Sequence, residues 1–86
     1  MTETQVGGNH YSECAIQPID FITANGLDFM QGNVVKYITR HKRKDKDKDI
    51  KKAIQYCTFI LKYDYGFSDE KIKDFVLGLF NEVKVG

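Results

Sequence analysis

The chain has 86 residues, which is enough for one small domain. It is 42% hydrophobic and 13% aromatic, so a core can form without disulfide or metal support. A formal net charge of +1 argues against a protein that coats nucleic acid or an anionic membrane. No apolar run approaches the roughly 20 residues that cross a bilayer, the first residues lack a secretion signal, and two cysteines make no disulfide framework. We therefore expect a cytoplasmic protein.

Residues 1–15 are polar and contain a glycine pair, which predicts a flexible N-terminal arm. Residues 16–86 are expected to form a single helical domain. Its first element is a short helix from Pro18 to Ala24, because proline is favoured in a first helical turn and Asn25-Gly26 is a typical stop.

The second helix is predicted from about Leu27 or Asp28 to His41, with an apolar stripe formed by Leu27, Met30, Val34 and Ile38. Residues 42–48 then alternate lysine or arginine with aspartate and contain no apolar side chain. This stretch is expected to be a solvated connection between helices.

A third helix is predicted from about Asp47 to Tyr63, ended by Gly66. Its core face comprises Ile50, Ala53, Ile54, Cys57, Ile60 and Leu61, so Cys57 is expected in the core. A further face carries Lys52, Tyr56, Phe59 and Tyr63. Apolar or aromatic groups thus cover more than half the circumference, which indicates self-association.

Ser68 is a favourable cap for a fourth amphipathic helix, whose apolar residues run from Ile72 to Val83. No strand-like alternation of useful length occurs. The prediction is an all-α bundle of three main helices and one short N-terminal helix, in a homo-oligomer.

The candidate site lies on the second and third helices. Asn33, Lys36 and Arg40 share one side of the second helix, with Tyr37 beside them, and Asp49, Lys52 and Tyr56 follow on the third. The segment from Arg40 to Lys52 contains eight lysine or arginine residues and three aspartates, which gives a local charge of +5. Local cations next to aromatic rings suit a phosphate-bearing ligand with a stackable base, that is, a nucleotide. The alternative is that Lys36 and Arg40 are ordinary helix residues paired with a neighbour such as Asp49.

The other common routes to phosphate binding are weakly represented. There is no glycine-rich phosphate loop, no carboxylate pair at helical spacing and no set of histidines and cysteines with ligand spacing. We therefore expect neither a metal nor another cofactor, and no catalytic residue can be assigned.

Several motifs together resemble a widespread family of small bacteriophage proteins. Those members are often labelled nucleotide kinase, because the module is similar to part of a phage nucleoside monophosphate kinase. The motifs are His10-Tyr11, residues 16–22, residues 32–38 with Arg40, and residues 49–53 with Tyr56, and they span about residues 9–62. The chain departs from the family's pattern after Arg40, where a Lys/Asp run stands in place of a glycine-containing turn.

The resemblance implies a phage protein acting in the cytoplasm of the infected bacterium. It adds His10 and Tyr11 to the pocket candidates, which become His10, Tyr11, Asn33, Lys36, Tyr37, Arg40, Asp49, Lys52 and Tyr56. The function we expect is capture of a phosphorylated nucleotide, with sequestration of a host immune signalling nucleotide as its purpose. The alternatives are a nucleoside monophosphate kinase, as the label says, and, more weakly, a nucleic-acid-binding module.

Overall fold

The computed structural model of the chain describes residues 14–82, which form four helices and no strand. The helices are α1 (Pro18–Ala24), α2 (Phe29–Arg40), α3 (Asp47–Tyr65) and α4 (Asp69–Glu82). The predicted all-α bundle of one short and three longer helices is thereby confirmed, and α1 has the predicted bounds.

Local chemistry explains where the first two helices end and begin. Pro18 occupies the first turn of α1, and Gly26 takes a φ of 63° just beyond its last turn. Asp28 then caps α2 through a reciprocal pair of hydrogen bonds: its carboxylate accepts from the Gln31 amide, and the Gln31 side chain accepts from the Asp28 amide. These two signals fix the short turn between α1 and α2.

The end of α3 and the start of α4 follow the same logic. Gly66 adopts the left-handed conformation, with a φ of 73°, and its amide donates to the Lys62 carbonyl at 3.1 Å. The Ser68 hydroxyl accepts from the Lys71 amide at 3.1 Å, which supplies the predicted cap of α4.

The long helices α2 and α3 form the most extensive contact in the molecule. α1 packs on α2, where Gly32 allows close approach: a Cβ at this position would lie 3.3 Å from the Ile22 side chain. α4 packs on α3, and none of its Cα atoms lies within 8 Å of a Cα atom of α2. The bundle is therefore a chain of pairwise contacts, α1 on α2 on α3 on α4, and the buried apolar side chains of the described part are Pro18, Ala53 and Ile72.

The predicted core face of α3 is open in its middle. Cys57 was expected in the core, but it is exposed, and Ile54 next to it is 55% exposed. The prediction was wrong because helical periodicity shows which residues share a face and does not show whether a neighbouring helix covers that face.

Candidate functional site

A buried ion pair joins the last turn of α2 to the first turn of α3. Arg40 donates from Nε and Nη2 to the two carboxylate oxygens of Asp49, at 3.1 and 3.2 Å. The Asp49 side chain is 0% exposed and that of Arg40 is 11% exposed. The backbone amide of Asp45 also donates to Asp49, at 3.4 Å. The arrangement is a two-pronged guanidinium–carboxylate bond sealed from water.

Burial by itself raises the pKa of the Asp49 carboxyl group. The Arg40 hydrogen bond, the Asp45 amide and the positive charges of Arg40 and Lys52 outweigh that effect, and the pKa lies below its usual value. Asp49 is therefore ionised at neutral pH, and its charge is matched by Arg40. The alternative reading of the sequence, in which Arg40 pairs with Asp49, describes this contact correctly.

Three cationic side chains surround the ring of Tyr37. The distances to the ring centroid are 5.1 Å from Lys36 Nζ, 4.9 Å from Arg40 Cζ and 5.2 Å from Lys52 Nζ. Each lies within the range at which a cation is attracted to an aromatic face. We call Lys36, Tyr37, Arg40 and Lys52 the cation cluster; the first three come from α2 and Lys52 comes from α3.

The charges of this cluster are only partly neutralised. Arg40 pairs with Asp49 and also lies 3.6 Å from an Asp45 carboxylate oxygen. In contrast, neither Lys36 nor Lys52 forms an ion pair with any carboxylate in residues 14–82. Because both ammonium groups are close to the same ring, they lie no further apart than the sum of their two distances to it. The cluster therefore concentrates positive charge at one point of the surface.

Aromatic residues continue from the cluster along α3. The rings of Tyr37 and Tyr56 are nearly parallel, with centroids 6.0 Å apart and an interplanar angle of 19°. Phe29 and Phe59 both approach Tyr56 edge-on, at 5.9 and 5.5 Å. Tyr37 and Tyr56 thus stack on one another, and a ligand base has to use a ring surface that this contact leaves exposed.

An open depression of about 280 Å³ is lined in part by Lys36. Its lining is mainly apolar and comprises Ile22, Leu27, Asp28, Phe29, Gly32, Asn33 and Lys36. The Asn33 amide donates to the Phe29 carbonyl one turn earlier, at 2.9 Å, so its side chain lies along the helix surface. The volume is close to the lower end of the range for small-molecule sites.

The structure brings together most of the predicted site residues that it describes. Lys36, Tyr37, Arg40, Asp49, Lys52 and Tyr56 form one connected group, and Asn33 lines the adjoining depression. His10 and Tyr11 lie outside the described residues. Asp45 and Phe29 were missed: Asp45 belongs to a run that was read as solvated, and Phe29 reaches Tyr56 only through the packing of α2 on α3.

The described residues contain neither a cluster suited to a metal ion nor a helix suited to a bilayer. No three of their histidine, cysteine, aspartate and glutamate side chains come together in a way that suits a metal ion. None of the four helices has the length and apolar character needed to cross a bilayer.

The fold and this site define a small all-α protein with a cationic and aromatic surface on its central helix pair. The chain belongs to the DUF3310 family, whose description is a protein of unknown function, and the family model matches residues 6–58. That range contains all nine predicted site residues and ends within α3, before α4. Neither the curated proteins nor the solved structures yielded a significant match to the chain.

Proposed function

We propose that this protein binds a phosphorylated nucleotide and sequesters it without changing it. The observation that carries the proposal is the pair of lysines, Lys36 and Lys52, that approach one aromatic ring from two helices and form no ion pair with a carboxylate in residues 14–82. Two like charges held close together repel one another. An anion placed between them removes that repulsion and gains two charge-assisted hydrogen bonds.

The roles within the proposed site differ from residue to residue. Lys36 and Lys52 contact the phosphate, and the depression beside Asn33 and Phe29 accepts the base or sugar. Arg40 is a positioning residue in this proposal, because its guanidinium is engaged by Asp49 and so holds the two lysine-bearing helices together. The resemblance described above supports a nucleotide as the ligand, and a host immune signalling nucleotide in a phage-infected cell is the proposed target.

The ligand is best sought in the protein as purified. Small molecules released from the full chain by heat are identified by mass spectrometry, and a panel of nucleoside mono-, di- and triphosphates and cyclic dinucleotides is tested by calorimetry. We expect one phosphorylated nucleotide to bind, and to be recovered unaltered after incubation. Absence of binding across the panel and an empty purified protein would contradict the proposal.

Charge variants test the site itself. Lys36→Gln and Lys52→Gln should each weaken the nucleotide found above by about tenfold or more, since a hydrogen bond to a charged group contributes roughly 1.5–3 kcal/mol. Lys51→Gln is the matched control. It removes the same charge from α3, but Lys51 is exposed and pairs with Asp47 at 3.3 Å. Equal affinity for the parent chain and both site variants would rule out the cation cluster as the binding site.

A phosphotransferase is the second candidate, favoured by the kinase label of the family that the sequence resembles. Incubating the chain with ATP, Mg²⁺ and each nucleoside monophosphate distinguishes phosphate transfer from sequestration. Accumulation of a nucleoside diphosphate would establish transfer and overturn sequestration, whereas unchanged nucleotides would support sequestration.

A nucleic-acid-binding role is tested with a mixed-sequence oligonucleotide, whose affinity would fall steeply with salt.

A further inference from the structure

The carboxylate of Asp45 lies beside the Arg40 member of the cation cluster. Its Oδ2 is 3.6 Å from Arg40 Nη2 and 3.8 Å from Lys44 Nζ. The Asp45 side chain is 34% exposed, so its negative charge also faces the solvent from which a ligand arrives. The cluster is thus bordered by a carboxylate that an anionic ligand has to approach.

The backbone of the turn between α2 and α3 holds Asp45 in this place. The Asp45 amide donates to the buried Asp49 carboxylate at 3.4 Å, and the Asp45 carbonyl accepts from the Lys48 amide at 3.0 Å. The next amide, that of Lys46, donates to the His41 carbonyl at 2.8 Å. Because these bonds fix the backbone around Asp45, its carboxylate can move only by side-chain rotation and stays close to the cluster.

Only part of the positive charge of the cluster is open to an anion. The Arg40 guanidinium binds both oxygens of Asp49 and has the Asp45 carboxylate nearby, so an anion beside Arg40 meets two like charges. Lys36 and Lys52 form no ion pair within the described chain and offer one positive charge each. A phosphate monoester carries about −1.5 to −2 at neutral pH. One phosphate group therefore matches the two lysines, and a chain of phosphates exceeds them.

We propose that Asp45 restricts the site to a ligand with an isolated phosphate group and discriminates against a polyphosphate chain. Lys36 and Lys52 hold the isolated group, and further phosphates that extend toward Arg40 are repelled by the Asp45 carboxylate. Asp45 is thus a specificity-determining residue of the function proposed above, on which this role rests.

Three cations that follow the cluster in the sequence are occupied within the turn. Lys44 pairs with Asp45 itself, and the Lys46 ammonium donates to the Lys42 carbonyl at 2.6 Å. Arg43 donates to a carbonyl of the last turn of α2, at 3.5 Å. A polyphosphate therefore gains little from these three side chains to offset its repulsion by Asp45.

Three inorganic anions test this role without involving a base: phosphate, pyrophosphate and tripolyphosphate. Each is titrated at neutral pH and constant ionic strength into the ¹⁵N-labelled full chain, and the amide signals of Lys36 and Lys52 report binding. In the parent chain, tripolyphosphate should bind no more than about threefold more tightly than phosphate. Asp45→Asn should strengthen tripolyphosphate binding by about tenfold and phosphate binding by less than about threefold, because it removes a like charge from the path of the longer anion.

Asp47→Asn is the matched control. Asp47 belongs to the same Lys/Asp run, is 77% exposed and pairs with Lys51 at 3.3 Å, so the change removes the same charge and also releases one lysine. It should alter the affinity for tripolyphosphate by less than about twofold, since an exposed charge away from the site is screened by salt. Asp45→Glu keeps the carboxylate and should retain the behaviour of the parent chain.

An equal gain of tripolyphosphate affinity in the Asp45→Asn and Asp47→Asn chains would be an effect of net charge and would overturn the role of Asp45. A parent chain that prefers tripolyphosphate to phosphate by about tenfold or more would overturn it too, even if Asp45→Asn failed to fold. In both cases the Lys36 and Lys52 signals still respond, and the proposed phosphate site stands. If none of the three anions shifts these signals, the proposed function fails at its phosphate site, and the role of Asp45 fails with it.

Discussion

The most heavily constrained residue in the molecule is Asp49. It accepts two hydrogen bonds from Arg40 and one from the Asp45 amide, and it is wholly shielded from water. A buried ion pair does not by itself add much stability, but removing one partner leaves the other charged and unpaired in an apolar setting. Asp49 and Arg40 should therefore be treated as one structural unit.

Asp49→Asn should lower the free energy of unfolding by about 3 kcal/mol, since the buried Arg40 guanidinium would lose the carboxylate that accepts two of its hydrogen bonds and keep the longer contact with Asp45, at 3.6 Å. Urea unfolding followed by circular dichroism measures the change. Asp47→Asn is the control, because Asp47 is an exposed aspartate of the same helix, 77% exposed and paired with Lys51. Its loss should cost roughly 0–1 kcal/mol. Similar effects of the two changes would contradict the special role of Asp49.

The same carboxylate predicts how stability depends on pH. The pKa of Asp49 is lower in the folded chain than the value of about 3.9 expected in the unfolded chain. Its stabilising contribution is therefore complete above about pH 4 and is lost as pH falls through the lower, folded pKa. In urea titrations, the parent chain should lose stability below about pH 4. The Asp47→Asn chain should behave in the same way, and stability that stays level down to pH 2 would refute the prediction.

Lys46 has a backbone conformation that suits glycine. Its φ is 56° and its ψ is −125°, at the position just before α3. A non-glycine residue in such a region carries roughly 1–3 kcal/mol of strain, part of which glycine relieves at the cost of a more flexible unfolded chain. Lys46→Gly should raise the free energy of unfolding by about 1 kcal/mol.

Lys48→Gly is the matched control for that change. Lys48 lies within the first turn of α3, where glycine is unfavourable by roughly 0.5–1 kcal/mol. The two substitutions remove the same charge and should shift the urea midpoint in opposite directions. A destabilised Lys46→Gly chain would show that the turn does not strain Lys46.

At the scale of helices, the ends of each helix were more predictable from the sequence than the contacts between helices. Pro18, Gly66 and Ser68 act within four residues of their own position, so their roles can be predicted from neighbouring sequence alone. The Arg40–Asp49 bond spans a turn whose course is set by the Lys46 backbone, and its burial depends on how α2 packs on α3. Helical spacing in the sequence assigned both Arg40 and Asp49 to the candidate site, but spacing alone does not show that the two side chains bind one another.

The apolar pattern of α3 shows a second limit of the same kind. Periodicity grouped its apolar residues on one side of the helix correctly, and α2 and α4 do pack along that side. They pack apart from one another, however, and so leave Ile54 and Cys57 uncovered. The distance between two helices that share a neighbour is a property of the assembled bundle, and no local signal in the sequence reports it.

Helix α4 offers a prediction at this scale. Ser68→Ala removes the hydroxyl that accepts from the Lys71 amide, which should destabilise α4 by about 1 kcal/mol. Amide hydrogen exchange should then quicken in α4 and remain unchanged in α2. Ser68→Asp keeps an acceptor at the cap and serves as the control. Equal exchange rates in the Ser68→Ala and parent chains would argue against the cap.

At the scale of the whole molecule, the scarcity of buried apolar side chains is the dominant fact. Among the described residues, the buried apolar side chains are Pro18, Ala53 and Ile72, while aromatic residues such as Phe29 and Phe80 remain largely exposed. A single copy thus removes little apolar surface from water, and its stability should be small. Association would supply the missing burial.

The homo-oligomer predicted from the sequence should make the thermal midpoint rise with protein concentration, because mass action favours the associated state and opposes unfolding to monomers. Scanning calorimetry over a hundredfold range of concentration measures this dependence. A midpoint that stays constant in the parent chain would mean that one copy is stable by itself.

The buried bond between Arg40 and Asp49 has one more consequence. It anchors the helix pair from within, so this bond stays in place when Lys36 or Lys52 is exchanged. Natural selection or protein engineering can then change the ligand specificity of this surface while the helix pair beneath it is retained. Relatives that share Arg40 and Asp49 but differ at positions 36 and 52 would be expected to bind different ligands.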